Sequence, residues 1–334
     1  MVSKSGLDVQ VVALTSDEAE QAGPPAGGYL SEWAGWPAIF LVNLPICVLA
    51  LAIGYRGLPG RSGTTNLRGF DITGAVLMLA ATSGLVVLGS FERIAGSYVL
   101  APAILVLSVI ATIAFIRRER RAADPLIPPT IFTSPGLSRS IIITGIGGVA
   151  LFGTLTFVPL AVIAGTGYDV STVSTLLVAL TAGQLVITAT FSIVARNFPR
   201  MVPWGRIGIV LGMVGLSLLA ALPLVSAWPD SIILGIAIAG LALAGASLGL
   251  LMQAYTLLGI TTAPPEHFGS AMATLTLARQ LGGSIGAAVF GWLLITMSGS
   301  ANATVVILGL AVLLLAVGLA VAPRGRDEPE AERK

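Results

Sequence analysis

The chain has 334 residues, 55% of them hydrophobic and only 10% charged, with a mean hydropathy of +0.93. Soluble domains carry about 25% charged residues, so this composition excludes an ordinary water-soluble domain and implies an integral membrane protein. A formal net charge of +2 offers no basic surface for nucleic acid, and a single His with a single Cys supplies no His/Cys metal cluster, so neither a metal nor a cofactor is expected.

Residues 1–22 form a polar segment with Asp8, Asp17, Glu18 and Glu20, and no basic start leads into an apolar core, so this is not a signal peptide. Gly23-Pro24-Pro25-Ala26-Gly27-Gly28 by itself reads as a loop. Nine stretches then follow that are long and apolar enough to span a bilayer: about 38–55, 70–89, 97–116, 141–164, 172–195, 205–225, 231–258, 270–296 and 302–322. In hydrocarbon each backbone N–H and C=O needs a partner within the structure, and no period-two alternation suggests a barrel. The predicted fold class is therefore all-α, a polytopic membrane helical bundle of about nine transmembrane helices. Glycine contributes 40 residues, well above the roughly 7% norm, as suits helices that approach closely through small side chains. Cys47, inside the first apolar stretch, is expected to be a small buried hydrophobe.

Basic residues in alternate connections set the orientation. Arg56, Arg61, Arg68, Arg117, Arg118, Arg120, Arg121, Arg139, Arg196, Arg200, Arg206 and the tail with Arg324, Arg326, Arg333 and Lys334 hold fifteen of the 18 Lys and Arg, whereas the opposite loops hold only Arg93. The positive-inside rule places the first set, with the C-terminus, in the cytoplasm. Nine spans then put the N-terminus outside, yet residues 1–22 carry nothing that would export them, so a preceding segment is expected.

Polar side chains divide the spans. The fifth carries Thr175, Thr181, Gln184, Thr188 and Thr190; the seventh Ser247, Gln253 and Tyr255; the eighth Thr274, Thr276, Arg279 and Gln280. These three are expected to face a cavity, and the nearly aliphatic sixth and ninth to face lipid. Arg279 lies about 15 Å beyond the polar loop ending near Phe268, close to the centre of a ~30 Å hydrocarbon core, where an ionisable group is a functional candidate. Its two readings are an interhelical brace, hydrogen-bonded to backbone carbonyls, and a substrate or gating contact. The series Gly282-x-x-x-Gly286 and Gly245-x-x-x-Gly249 read first as close helix packing.

Five signatures occur in order: Gly23-Pro24-x-x-Gly27-Gly28; Trp36-Pro37-Ala38-Ile39-Phe40-Leu41-Val42-Asn43-Leu44-Pro45; Phe70-Asp71-x-x-Gly74; Asp124-Pro125-Leu126-Ile127; and Gly269-Ser270-Ala271 leading to Arg279-Gln280-x-Gly282-Gly283-x-x-Gly286. Together they resemble the fourteen-span drug:proton antiporter branch of the major facilitator superfamily. In that family the first element closes the fifth span and the second opens the sixth, so the resemblance implies a partial major facilitator fold holding spans six to fourteen. Pro37 and Ala38 replace an Arg and a Trp usual in the family, and residues 1–22 do not match a fifth span at all.

The resemblance implies these divisions: 1–22 an unmatched polar segment; 23–55 the end of a truncated helix and the last helix of the N-terminal half; 56–116 a two-helix insertion; 117–322 the C-terminal six-helix half; 323–334 a charged cytoplasmic tail. None of the 16 acidic residues lies in the interior of a span. The resemblance implies that the coupling acid belongs to the first four spans of the family, outside this chain. The expected function is efflux of amphipathic small molecules by proton antiport in the full-length form. The alternative is a truncated, non-transporting remnant or one half of a split transporter that pairs with a separate N-terminal half. Expected partners are the bilayer of the plasma or inner membrane, a small-molecule substrate and protons. An enzyme is not expected, because one His and scattered acids offer no catalytic cluster.

Overall fold

The computed structural model describes residues 35, 37, 41–57, 71–90, 99–121, 132, 134–154, 170–195, 197–198, 200–225, 228–264, 267–297 and 301–323. Gly23, Pro24, Gly27, Gly28, the Asp124 to Ile127 element and the tail from residue 324 lie outside them. The described residues form nine α-helices and no strand: α1 Asn43–Gly57, α2 Ile72–Ser90, α3 Leu100–Glu119, α4 Pro135–Gly147, α5 Val170–Val194, α6 Met201–Ala221, α7 Asp230–Thr261, α8 Phe268–Thr296 and α9 Ala301–Val321. Residues up to 70 and residues from 71 onward are two compact units, with α1 in the first and α2 to α9 in the second. Within them Pro135–Phe152, Met201–Val225, Asp230–Thr261 and Ala303–Val321 are long and apolar enough to cross a membrane, and Asn43–Ile53, Ile72–Gly84 and Val178–Val194 are shorter apolar helices.

α1 starts at Asn43 and accepts Pro45 in its first turn, where a missing N–H leaves no intrahelical bond unmade. Its apolar side chains, Leu44, Ile46, Val48, Leu51 and Ile53 among them, are exposed. Cys47 shares that exposure, contrary to the expected burial: on a helix apolar all round, an apolar neighbourhood in sequence does not define a buried side.

α2 and α3 form a hairpin. Asp71 precedes α2 and accepts the Gly74 N–H at 2.9 Å, capping the helix, while Arg118 from the end of α3 donates Nε to its carboxylate at 3.2 Å. The seam is made of small groups: Gly84 lies against Ser108, beside buried Ala81 and Ala111. The Gly74 N–H first, and then the Arg118 guanidinium, hold the Asp71 carboxyl below its usual 3.8. A depressed value means that this cap and pair contribute fully above the usual value and are lost only as pH falls through the lowered one. Asp71→Asn, which keeps an acceptor for Gly74 but loses the charge, is expected to speed hydrogen exchange in the first turn of α2 modestly. Asp71→Ala, which loses both, is expected to speed it several-fold more; equal rates in both variants and the parent would refute the clasp.

α7, 32 residues long, is the central helix, with twenty of its residues buried, and α4, α5 and α6 pack around it. Its tightest partner is α6. Gly205, Gly208, Gly212 and Gly215 on α6 meet Tyr255, Leu251, Ser247 and Ala244 on α7, an antiparallel seam in which a Cβ at each glycine would strike its neighbour. Lipid tails are as apolar as leucine, so helices in a bilayer associate through such close van der Waals contact rather than by escape from solvent. The sixth span, expected to face lipid, is thus exposed on one side only. Ile207, Val210 and Val214 are exposed, and the glycine side is buried against α7.

α4 begins at Pro135, with Pro in the first turn, six residues before the predicted span. From Gly148 to Phe152 it widens into a π-helical turn that packs on α8.

Candidate functional site

The site is assembled around α8. Gly282, Gly283 and Gly286 lie on the side of α8 that meets α4, and the two helices interlock through backbone. A Cβ at Gly148 would meet the Arg279 carbonyl oxygen and, at 3.2 Å, the Gly282 Cα; one at Gly286 would meet the Val149 carbonyl oxygen and, at 2.9 Å, the Gly153 Cα. A Cβ at Gly282 would strike the Gly145 carbonyl oxygen, and Gly283 sits against Phe152. The π-turn of α4 is thus the segment that the glycine motif grips. Its extra residue per turn changes which α4 atoms face α8.

That grip fixes the rotation of α8 and so the direction of its polar residues. Arg279 is half-buried near mid-helix, and Ala273, Thr276 and Gln280 form an exposed stripe at i, i+3 and i+7 that is polar at its last two positions. Buried Thr274, on another side, returns its hydroxyl to the Ser270 carbonyl at 2.7 Å. Arg279 makes no hydrogen bond or ion pair with any described residue, so the carbonyl brace is not seen among them.

The other candidates lie on α5 and α7. Thr181 and Gln184 are half-buried on α5, and the Gln184 Cγ is 3.2 Å from where a Gly249 Cβ would stand. Gln253 is 5% exposed, and Tyr255 is fully buried with its ring against Gly205 of α6. In this arrangement Gln253 and Tyr255 belong to the bundle interior, whereas Thr276 and Gln280 are exposed. Asn43 and Pro45 open α1, and Asp71 caps α2. Sequence reading missed the α6 glycine ladder, although its signal, glycines at i, i+3, i+7 and i+10, is present. It also missed the π-turn, which has no such signal.

Among the described residues the carboxylates Asp71, Glu119 and Asp230 stand at helix ends, and no group of three His, Cys, Asp or Glu could hold a metal.

Comparison with known proteins is decisive for the family. The model of the Major Facilitator Superfamily matches residues 22–287. The chain belongs to the Major Facilitator Superfamily. Among its relatives, the tetracenomycin C resistance and export protein of Streptomyces glaucescens is 30% identical over 83% of this chain and 51% of its own length. The puromycin resistance protein of Streptomyces alboniger is 29% identical over 83% of the chain and 54% of its own length. An uncharacterised transporter of the same superfamily from Mycobacterium tuberculosis is 26% identical over 82% and 39%. The chain thus spans about half the length of the curated relatives it matches. Superfamily membership accounts for the multi-pass membrane architecture, and the antibiotic-resistance names of these relatives agree with the drug-exporter branch that the motifs resemble.

Proposed function

We propose that the chain serves as part of a major facilitator exporter of amphipathic small molecules, antibiotics among them, with α4 to α9 as its C-terminal six-helix half and α2–α3 as an inserted hairpin. The observation that carries this reading is the α8 stripe: Thr276 and Gln280 are exposed one turn apart, beside half-buried Arg279, on a helix otherwise built for hydrocarbon. Polar groups facing lipid have no solvation, so they are best satisfied by an aqueous cavity or by an opposing bundle. Thr181 and Gln184 of α5 are proposed to reach the same cavity, with Gln253 and Tyr255 reaching it when helices shift in the transport cycle. The basic loops place the C-terminus in the cytoplasm in this proposal.

Proton antiport is proposed for the longer form, paired with an N-terminal half, because the carboxylates described here stand at helix ends. Expressed by itself in cells that lack their own exporters, this chain is expected to leave ethidium accumulation at the empty-vector level. Joined to an N-terminal half, it is expected to lower accumulation in a manner abolished by an uncoupler. Uncoupler-sensitive extrusion by the chain alone would overturn the division of labour and would point to Asp71 as the first group to replace. Failure of the joined form would count against the exporter reading itself.

A further inference from the structure

We infer that the α5–α7 seam holds an ordered internal water bound by Thr188 and Gln253, a hydrated notch in the interior of the six-helix bundle. The inference does not depend on the transport reading.

Threonines in these helices have a habit. Thr112, Thr144, Thr190, Thr261, Thr274 and Thr296 each return the hydroxyl to the carbonyl four residues earlier, at 2.7 to 2.9 Å. That is the ordinary way for a hydroxyl to be satisfied in an apolar helix. Thr188 does not follow it. Its side chain is 1% exposed, its Oγ1 has no partner, and it faces α7, 2.8 Å from where a Gly249 Cβ would stand.

One turn along the same side of α7 is Gln253. It is 5% exposed, and both Oε1 and Nε2 are buried without a partner. An amide with its donor and its acceptor both unmet is a stronger anomaly than a lone hydroxyl, because buried polar groups are nearly always paired. Gly249 and Gln253 are four residues apart, so their Cβ positions are separated by about 6 Å. Two hydrogen bonds of about 2.8 Å meeting at one water oxygen span roughly 5 Å, a gap within reach of a glutamine amide carried on a Cβ one turn away.

The chemistry of the lining selects the occupant. Gln253 supplies two N–H donors and an acceptor, and Thr188 supplies one of each. A cation would find only neutral oxygens and would leave the amide hydrogens unmet, and an anion would find no charge to pair with. A neutral molecule that donates and accepts equally fits, and the close glycine packing of the seam, Gly183 against Ala242 and Gly245 against Leu180, leaves room only for a small one. Water meets all three conditions.

The test uses the whole chain, uniformly ¹⁵N-labelled, in lipid bilayers with water-edited solid-state NMR. The Gln253 side-chain amide is identified by its loss in Gln253→Leu. Its water build-up is expected, despite its burial, to be at least about threefold faster than that of the backbone amides of Leu250 and Leu251. Thr188→Val is expected to slow it about threefold. A Gln253 build-up as slow as that of Leu250 in the parent chain overturns the inference. Stability gives a second arm. Gln253→Leu and Thr188→Val each strand the remaining partner, so the double variant should unfold closer to the parent than the sum of the single effects. Strict additivity would also count against a shared water.

Discussion

Gly148→Ala and Gly282→Ala are each expected to destabilise the bundle by about 1–3 kcal/mol, and leucine at either position to abolish folded yield. The reason is what the new atom meets. At Gly148 it is the Arg279 carbonyl and the Gly282 Cα, and at Gly282 it is the Gly145 carbonyl. A side-chain obstacle can rotate away; a backbone one forces the helices apart, and in lipid no solvent-driven gain offsets the lost contact. The chain provides its own control. Gly235 and Gly309 have nothing within 4 Å of a built Cβ, so Gly235→Ala and Gly309→Ala should be neutral or gain up to about 1 kcal/mol from helix propensity. Reversible unfolding in mixed detergent micelles reads all four. If the alanines at Gly148 and Gly282 behave like those at Gly235 and Gly309, the interlock is not what joins α4 to α8.

Hydropathy alone located the nine helices of the described residues, because a segment that must satisfy its own backbone in hydrocarbon declares itself by length and composition. Boundaries were less visible. α4 starts at Pro135 rather than near 141, since a proline in the first turn permits the helix to begin in a stretch that is not yet uniformly apolar. Close packing at the α8 glycines was legible from spacing, but their partner was not: nothing in Gly282-x-x-x-Gly286 says that the opposing surface is a π-turn of α4. The α6 ladder was legible in principle and overlooked, because apolar composition around Gly205, Gly208, Gly212 and Gly215 reads as a lipid-facing helix unless glycine is treated as a contact residue. Gln253 and Tyr255 were picked out as polar, yet polarity does not say which side of α7 they occupy. Both lie on a helix buried nearly all round over that stretch. Rotation about the helix axis is set by tertiary contact, and only the glycine grip on α8 and the α6 ladder on α7 determine it.

Arg279→Ala is expected to leave the folded yield of the chain unchanged and to raise its resistance to unfolding, an effect opposite in sign to that of losing a brace. A guanidinium charge at the centre of a membrane helix costs about 2.5–3.5 kcal/mol on insertion scales. A brace recovers that cost through carbonyl or carboxylate partners, and Arg279, half-buried, has none among the described residues. Its cost is therefore retained for something outside this fold, and in the proposed exporter that is cargo or the opposing bundle. Arg279→Ala in the transport-competent form should then lower substrate binding at least about tenfold, or ~1.4 kcal/mol, with no loss of folded protein. Arg279→Lys separates two modes of contact. A point charge preserves attraction to an anionic group, whereas a planar fork that grips two acceptors is lost. Near-parental binding in the lysine variant would identify a simple electrostatic contact, and binding as weak as in the alanine variant would identify a bidentate one. A fall in stability or yield in both variants would restore the brace and remove Arg279 from the transport site.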